Sequence, residues 1–113
     1  MRRFLITALL FTACTTVFAS DDLSKQATAF YSDNNFNKTM DLILQINESD
    51  RTAQDWLLLG NVLEDKGEKE NAVFMYQKAK VTNPKYYKAY YNLANYYAEN
   101  SQFNLAIENY KKA

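Results

Sequence analysis

Apolar residues recur at intervals of three and four along most of the chain. Trp56, Leu59 and Leu63 form one such set, Ala72, Tyr76 and Ala79 a second, and Tyr90, Leu93 and Tyr97 a third. That period places each set on one face of an α-helix. Polar or helix-breaking residues interrupt the sets at Asp33-Asn34-Asn35, Asn47 to Asp50, Gly67, Pro84 and Asn100-Ser101. The pattern predicts helices over residues 22–33, 37–47, 53–65, 69–81, 87–99 and 103–113, each roughly three turns long. No linker is long enough to divide them.

The first residues follow a different pattern. Arg2 and Arg3 precede an apolar run from Phe4 to Ala13, and Val17-Phe18-Ala19 offers the small or aliphatic residues that a signal peptidase reads. Residues 1–19 therefore have the pattern of a secretory signal peptide cut after Ala19. The run is too short to span a bilayer, which needs about 20 residues. Phe11-Thr12-Ala13-Cys14 also resembles a bacterial lipobox, which makes lipidation at Cys14 a second route. Both routes predict an exported protein: periplasmic after cleavage at Ala19, or an outer-membrane lipoprotein if anchored at Cys14. A membrane partner is expected only in the second case.

The helical sets repeat. Trp56, Leu59-Gly60, Ala72, Tyr76, Ala79 and Pro84 follow the spacing W-x2-L-G, A-x3-Y-x2-A, P. One period of 34 residues later stand Tyr90, Leu93-Ala94, Ala106, Tyr110 and Ala113. This resembles the tetratricopeptide repeat family. The resemblance implies an all-α fold, a right-handed superhelical array of about three helical hairpins with the last one incomplete. The physical reasons are independent of the family. Small residues at Gly60, Ala94, Ala72 and Ala106 suit close helix crossings, and large rings at Trp56, Tyr90, Tyr76 and Tyr110 fill the gaps between helices. Gly67 suits a left-handed turn, and Pro84 stops a helix.

The expected division is a signal peptide at 1–19, a divergent hairpin at 20–52, a full repeat at 53–86 and a truncated repeat at 87–113. In the first hairpin, Leu23, Ala27 and Phe30 fall at the places of Trp56, Gly60 and Leu63. Thr39, Ile43 and Ile46 fall at those of Ala72, Tyr76 and Ala79, and Arg51 stands where the helix-ending Pro belongs. The sequence stops inside the last predicted helix, so Leu105, Ile107 and Tyr110 are expected to lack full cover. Either the array is unfinished or something else completes it.

Charge and composition narrow the function. Lys and Arg number 13 against 13 Asp and Glu. Loss of residues 1–19 from the 113 would leave 94, with two fewer Arg, a net charge of −2 and no Cys. A neutral or slightly acidic chain has no electrostatic footprint for nucleic acid. The chain has no His, one Cys and 2 Gly. It thus offers no Ser–His or Cys–His catalysis, no zinc site and no glycine-rich phosphate loop. The carboxylate pairs Glu64-Asp65 and Glu68/Glu70 read as solvated helix surface, not as two carboxylates facing across a cleft. No enzymatic activity, small-molecule cofactor or metal is expected.

What remains is binding. In this family the first helix of each hairpin lines the concave face. The inward stripe would carry Ser24, Thr28 and Tyr31, then Gln54, Leu57, Asn61 and Glu64, then Lys88, Tyr91, Asn95 and Ala98 with Asn92 adjacent. The candidate partner-binding groove is Leu57, Asn61, Glu64, Lys88, Tyr91, Asn92 and Asn95. An Asn can donate and accept at once and so hold the backbone of an extended peptide. Asn61 and Asn92 match two Asn of the carboxylate clamp that some relatives use on chaperones, but Leu57 stands at its Lys position. That specialised activity is not implied. The expected role is a non-catalytic scaffold in a bacterial envelope that binds a protein or peptide. The alternatives are the N-terminal module of a longer envelope enzyme and a lipid-anchored outer-membrane assembly factor.

Overall fold

The computed structural model of the chain describes residues 20–113. The expected signal peptide and Cys14 lie outside them. Helix α1 runs over 20–32 and α2 over Phe36–Leu44. A short 3-10 turn at Glu48–Asp50 leads to α3 (Ala53–Asp65), α4 (Lys69–Thr82), α5 (Tyr87–Glu99) and α6 (Phe103–Lys112). No strand occurs among the described residues. The predicted segments agree with these helices to within one or two residues, except at the end of α2. That helix stops at Leu44 and not at residue 47. Ile46 is buried there, and its carbonyl accepts from the Arg51 Nε at 3.1 Å. A side chain thus satisfies a carbonyl that another helical turn would otherwise have engaged.

Helices α3 and α4 pack as one hairpin and α5 and α6 as the next, with α2 against α3 and α4 against α5 between them. Ala27, Ile43, Ala72, Tyr76, Ala79 and Ala89 are completely buried. Thr39 takes the place that Ala72 and Ala106 hold in the later hairpins. Its buried hydroxyl lies 2.9 Å from the Asn35 carbonyl and 3.3 Å from that of Ala27. A hydroxyl at a close crossing must find such an acceptor, and this one ties α2 to α1.

Each hairpin turns in the same way. Asn34, Gly67 and Ser101 have φ of 60°, 84° and 60°, and they occupy equivalent positions. The following amides, Asn35, Glu68 and Gln102, donate to Phe30, Leu63 and Tyr97 at 2.8 Å each. This is the Schellman closure of a helix, which needs one residue in the left-handed region. Only the middle turn has a glycine there. Replacing Ser101 by Gly relieves the Cβ strain but loosens the unfolded chain. We expect a net gain of about 0.5 kcal/mol, read as a higher urea midpoint; a lower midpoint would refute the strain argument.

Helix α3 starts from a reciprocal cap. The Asp55 amide donates to Thr52 Oγ1 at 3.1 Å, and the Thr52 amide donates to Asp55 Oδ2 at 2.9 Å. Ser24 Oγ of α1 also donates to Asp55 Oδ2, at 2.9 Å. The nearly inaccessible Asp55 thus both caps its own helix and pins the first hairpin to the second. At the far end Leu105, Ile107 and Tyr110 are 42%, 53% and 41% exposed, so these α6 side chains lack full cover, as expected.

Candidate functional site

Helices α1, α3 and α5 line a groove. A cavity of about 330 Å³ is walled by Thr28 and Tyr31 of α1 and by Gln54, Leu57, Leu58 and Asn61 of α3. Tyr86, Tyr87, Lys88, Tyr91 and Asn92, at the start of α5, form its other side. A second cavity of about 440 Å³ adds Phe36, Glu64 and Asp65, and shares Tyr31, Asn61 and Asn92 with the first. The two are therefore one continuous trough. Lys88 supplies a cation at the end where α3 and α5 begin, and Glu64 and Asp65 supply carboxylates where α3 ends.

The structure brings together six of the seven groove candidates: Leu57, Asn61, Glu64, Lys88, Tyr91 and Asn92. Asn95 lies in neither cavity. Its Oδ1 accepts from the Tyr110 hydroxyl, which turns it toward α6. Leu57 is only 5% exposed and belongs to the floor, so it offers a partner little surface. Tyr91, at 52% exposed, leaves its ring open and meets Tyr110 edge-on with centroids 6.0 Å apart.

Asn61 is more constrained than its sequence position implied. Its Oδ1 accepts from the Tyr76 hydroxyl at 2.8 Å and from Asn92 Nδ2 at 2.9 Å. Both lone pairs are engaged, so toward a partner Asn61 can only donate. The same arrangement recurs one repeat later, where Asn95 accepts from Tyr110. Each pair is fifteen residues apart and joins the first helix of a hairpin to the second. The first hairpin has Thr28 and Ile43 at these places and lacks the pair. The recurrence of Asn and Tyr at fixed separation was a visible signal for this bond, one that a stripe of inward positions does not reveal.

Charge in the trough is also set by burial. Desolvation raises the Glu64 pKa above the ordinary carboxylate value; Glu99 adds to the rise, while the Tyr76 hydroxyl and Lys69 oppose it. Burial, with the charge of Glu64 nearby, holds the Tyr76 phenol far above its usual range, so it remains a donor. Burial likewise raises Tyr86, with smaller contributions from Tyr87 and Asp55. Tyr86 and Tyr87 are groove residues outside the predicted stripe: Tyr86 is the N-cap of α5, and Tyr87 is its first residue, four before Tyr91 and so on the same helical face. Among the described residues no group of three or more His, Cys, Asp or Glu is placed to hold a metal ion. Nor is any described helix long and apolar enough to cross a membrane.

Comparison with known proteins agrees with this geometry. Residues 55–86 and 75–108 each match a tetratricopeptide repeat family model. The chain is 38% identical over 80 residues to tetratricopeptide repeat protein 6 of Homo sapiens, a stretch that covers 71% of this chain and 15% of that protein. Its fold is similar to that in the crystal structure of MamA, with a TM-score of 0.70 at 20% identity, covering 82% of this chain and 55% of that one. The chain thus carries tetratricopeptide repeats in an all-α repeat array, and it spans a small part of the human protein and about half of MamA.

Proposed function

We propose that this chain is a non-catalytic scaffold that binds an extended protein segment along the trough of α1, α3 and α5. The continuity of that trough, with a cation at one end, carboxylates at the other and exposed tyrosines between, is the observation that carries the reading. Gln54 to Asp65 spans about 16 Å at 1.5 Å per residue, enough for about five residues of extended chain. Tyrosine rings supply contact area at small entropic cost, and the Asn61 amide donates to a passing carbonyl. The charge gradient favours a segment with its acidic end at Lys88 and its basic end at Glu64 and Asp65. The n-region, apolar run and Ala19 site support export to a bacterial envelope. The 20–52 hairpin, which turns as the other two do, is on this reading a divergent repeat.

Peptides selected on the folded protein from a random library provide the test. The Tyr87→Ala/Tyr91→Ala double variant removes two exposed rings, at 58% and 52%, without touching the core. It should weaken selected peptides at least roughly tenfold, the loss of two anchors of about 1 kcal/mol each. A folded double variant with wild-type affinity for those peptides rules the trough out. Asn61 is unsuitable for this test because its removal also breaks the bond to Tyr76.

A further inference from the structure

A second site lies away from the trough, at the junction of the first two hairpins. There Arg51 occupies the place that Pro84 holds at the next junction. At that later junction the Tyr90 hydroxyl donates to the Pro84 carbonyl at 2.9 Å. At the earlier one Trp56 replaces Tyr90, and a different bond closes the junction, from the Arg51 Nε to the Ile46 carbonyl. Its guanidinium carbon sits 4.9 Å from the centre of the Trp56 ring. The residue is only 9% exposed.

The two terminal nitrogens of Arg51 have no hydrogen-bond or carboxylate partner among the described residues. The ion pairs found there are Lys69–Glu99 and Lys112–Glu108. Every fully buried side-chain nitrogen or oxygen does have a partner. The terminal nitrogens therefore keep some solvent access, and Arg51 is one of the residues that line a cavity of about 310 Å³. Trp56 and Val81 give that cavity apolar walls, and Lys78 places a second cation on it, 5.8 Å from the Trp56 ring centre. A guanidinium this buried with no described carboxylate in a salt bridge to it is costly, and its planar fork matches a carboxylate.

We infer that this cavity binds a small organic carboxylate with a short apolar tail, its carboxylate on Arg51 and Lys78 and its tail against Trp56 and Val81. Its volume lies at the lower bound of small-molecule pockets. Glu48, which also lines the cavity, disfavours a multiply charged anion such as phosphate more than a single carboxylate. The proposal does not depend on the trough, since none of the residues is shared.

Trp56 is the only tryptophan in the chain, so its fluorescence reports on the cavity directly. The chain would be titrated with hexanoate at constant ionic strength, with hexanol and phosphate in parallel. Hexanoate should give a saturable change with a Kd on the order of 1 mM or tighter. Hexanol and phosphate should each bind roughly tenfold more weakly or not at all, as expected on losing one charge-assisted bond or the apolar contact. Lys78→Gln alters an exposed side chain and should weaken hexanoate roughly tenfold without changing the melting curve. Arg51→Gln should abolish the response. If that variant fails to fold, NMR shifts of the Arg51 Nε–H and the Trp56 indole N–H of the unmodified chain under hexanoate give the same answer. Equal responses to hexanoate and hexanol would overturn the proposal, as would a non-saturable response or wild-type binding by Lys78→Gln.

Discussion

Replacing Tyr76 by Ala should lower stability by about 3–5 kcal/mol, the cost of removing a large ring from a closed core. Tyr76 is completely buried, lies against Gly60 and donates to Asn61. It therefore joins α4 to α3 by packing and by a hydrogen bond together. Domains of this size are stable by about 5–15 kcal/mol, so the loss takes a large share of the total. Tyr76→Phe keeps the ring and loses the hydroxyl. It should cost about 1 kcal/mol, because Asn61 keeps its bond from Asn92. Urea unfolding followed by circular dichroism separates the two. Equal midpoints for the Ala and Phe variants would show that the ring contributes nothing beyond its hydroxyl, contrary to the packing argument.

The second large effect comes from the other side of the same contact. A Cβ at Gly60 would stand 2.7 Å from Tyr76 Cδ1 and 3.0 Å from Cζ, and nearer still to Cε1. Real Cβ atoms do not approach that closely, and the ring has little room to retreat. Overpacking of this kind costs about 1–3 kcal/mol, against a helix-propensity gain of less than about 1 kcal/mol for replacing glycine. Gly60→Val, with two further methyl groups, should sit at the upper end, at about 3 kcal/mol. In a Tyr76→Leu background the clash is gone, and the penalty should fall below about 1 kcal/mol. The same penalty in both backgrounds would mean that the glycine is needed for something other than the ring.

This pair shows how much could be read without coordinates. Gly60 and Tyr76 stand at repeat-defining positions, and the small residue at a crossing with a ring in the gap was a prediction from spacing alone. The hairpin turns were legible for the same reason. Gly67 declared its left-handed conformation by residue type, while Asn34 and Ser101 declared theirs only by standing one repeat away. The end of α2 falls at Leu44, short of residue 47, and the Arg51 side chain five residues beyond Ile46 satisfies the Ile46 carbonyl in place of a further helical turn. Asn95 lies in neither cavity although it makes the same bond to a tyrosine that Asn61 makes, so that bond does not decide which Asn lines the trough.

The sequence by itself determined the number and order of helices, where they turn and which rings and small residues meet in the core. Those features follow from a period of three to four residues and from turn chemistry, which act locally, and from a repeat of 34, which is visible as a pattern of residue types. Only the tertiary structure decided which polar groups remain available to a partner. Asn61 finds its partners 15 and 31 residues away. Arg51 keeps two nitrogens open because no described carboxylate comes within reach. A hydrogen bond is assigned by proximity in space, and residue type settles only what a side chain is able to do.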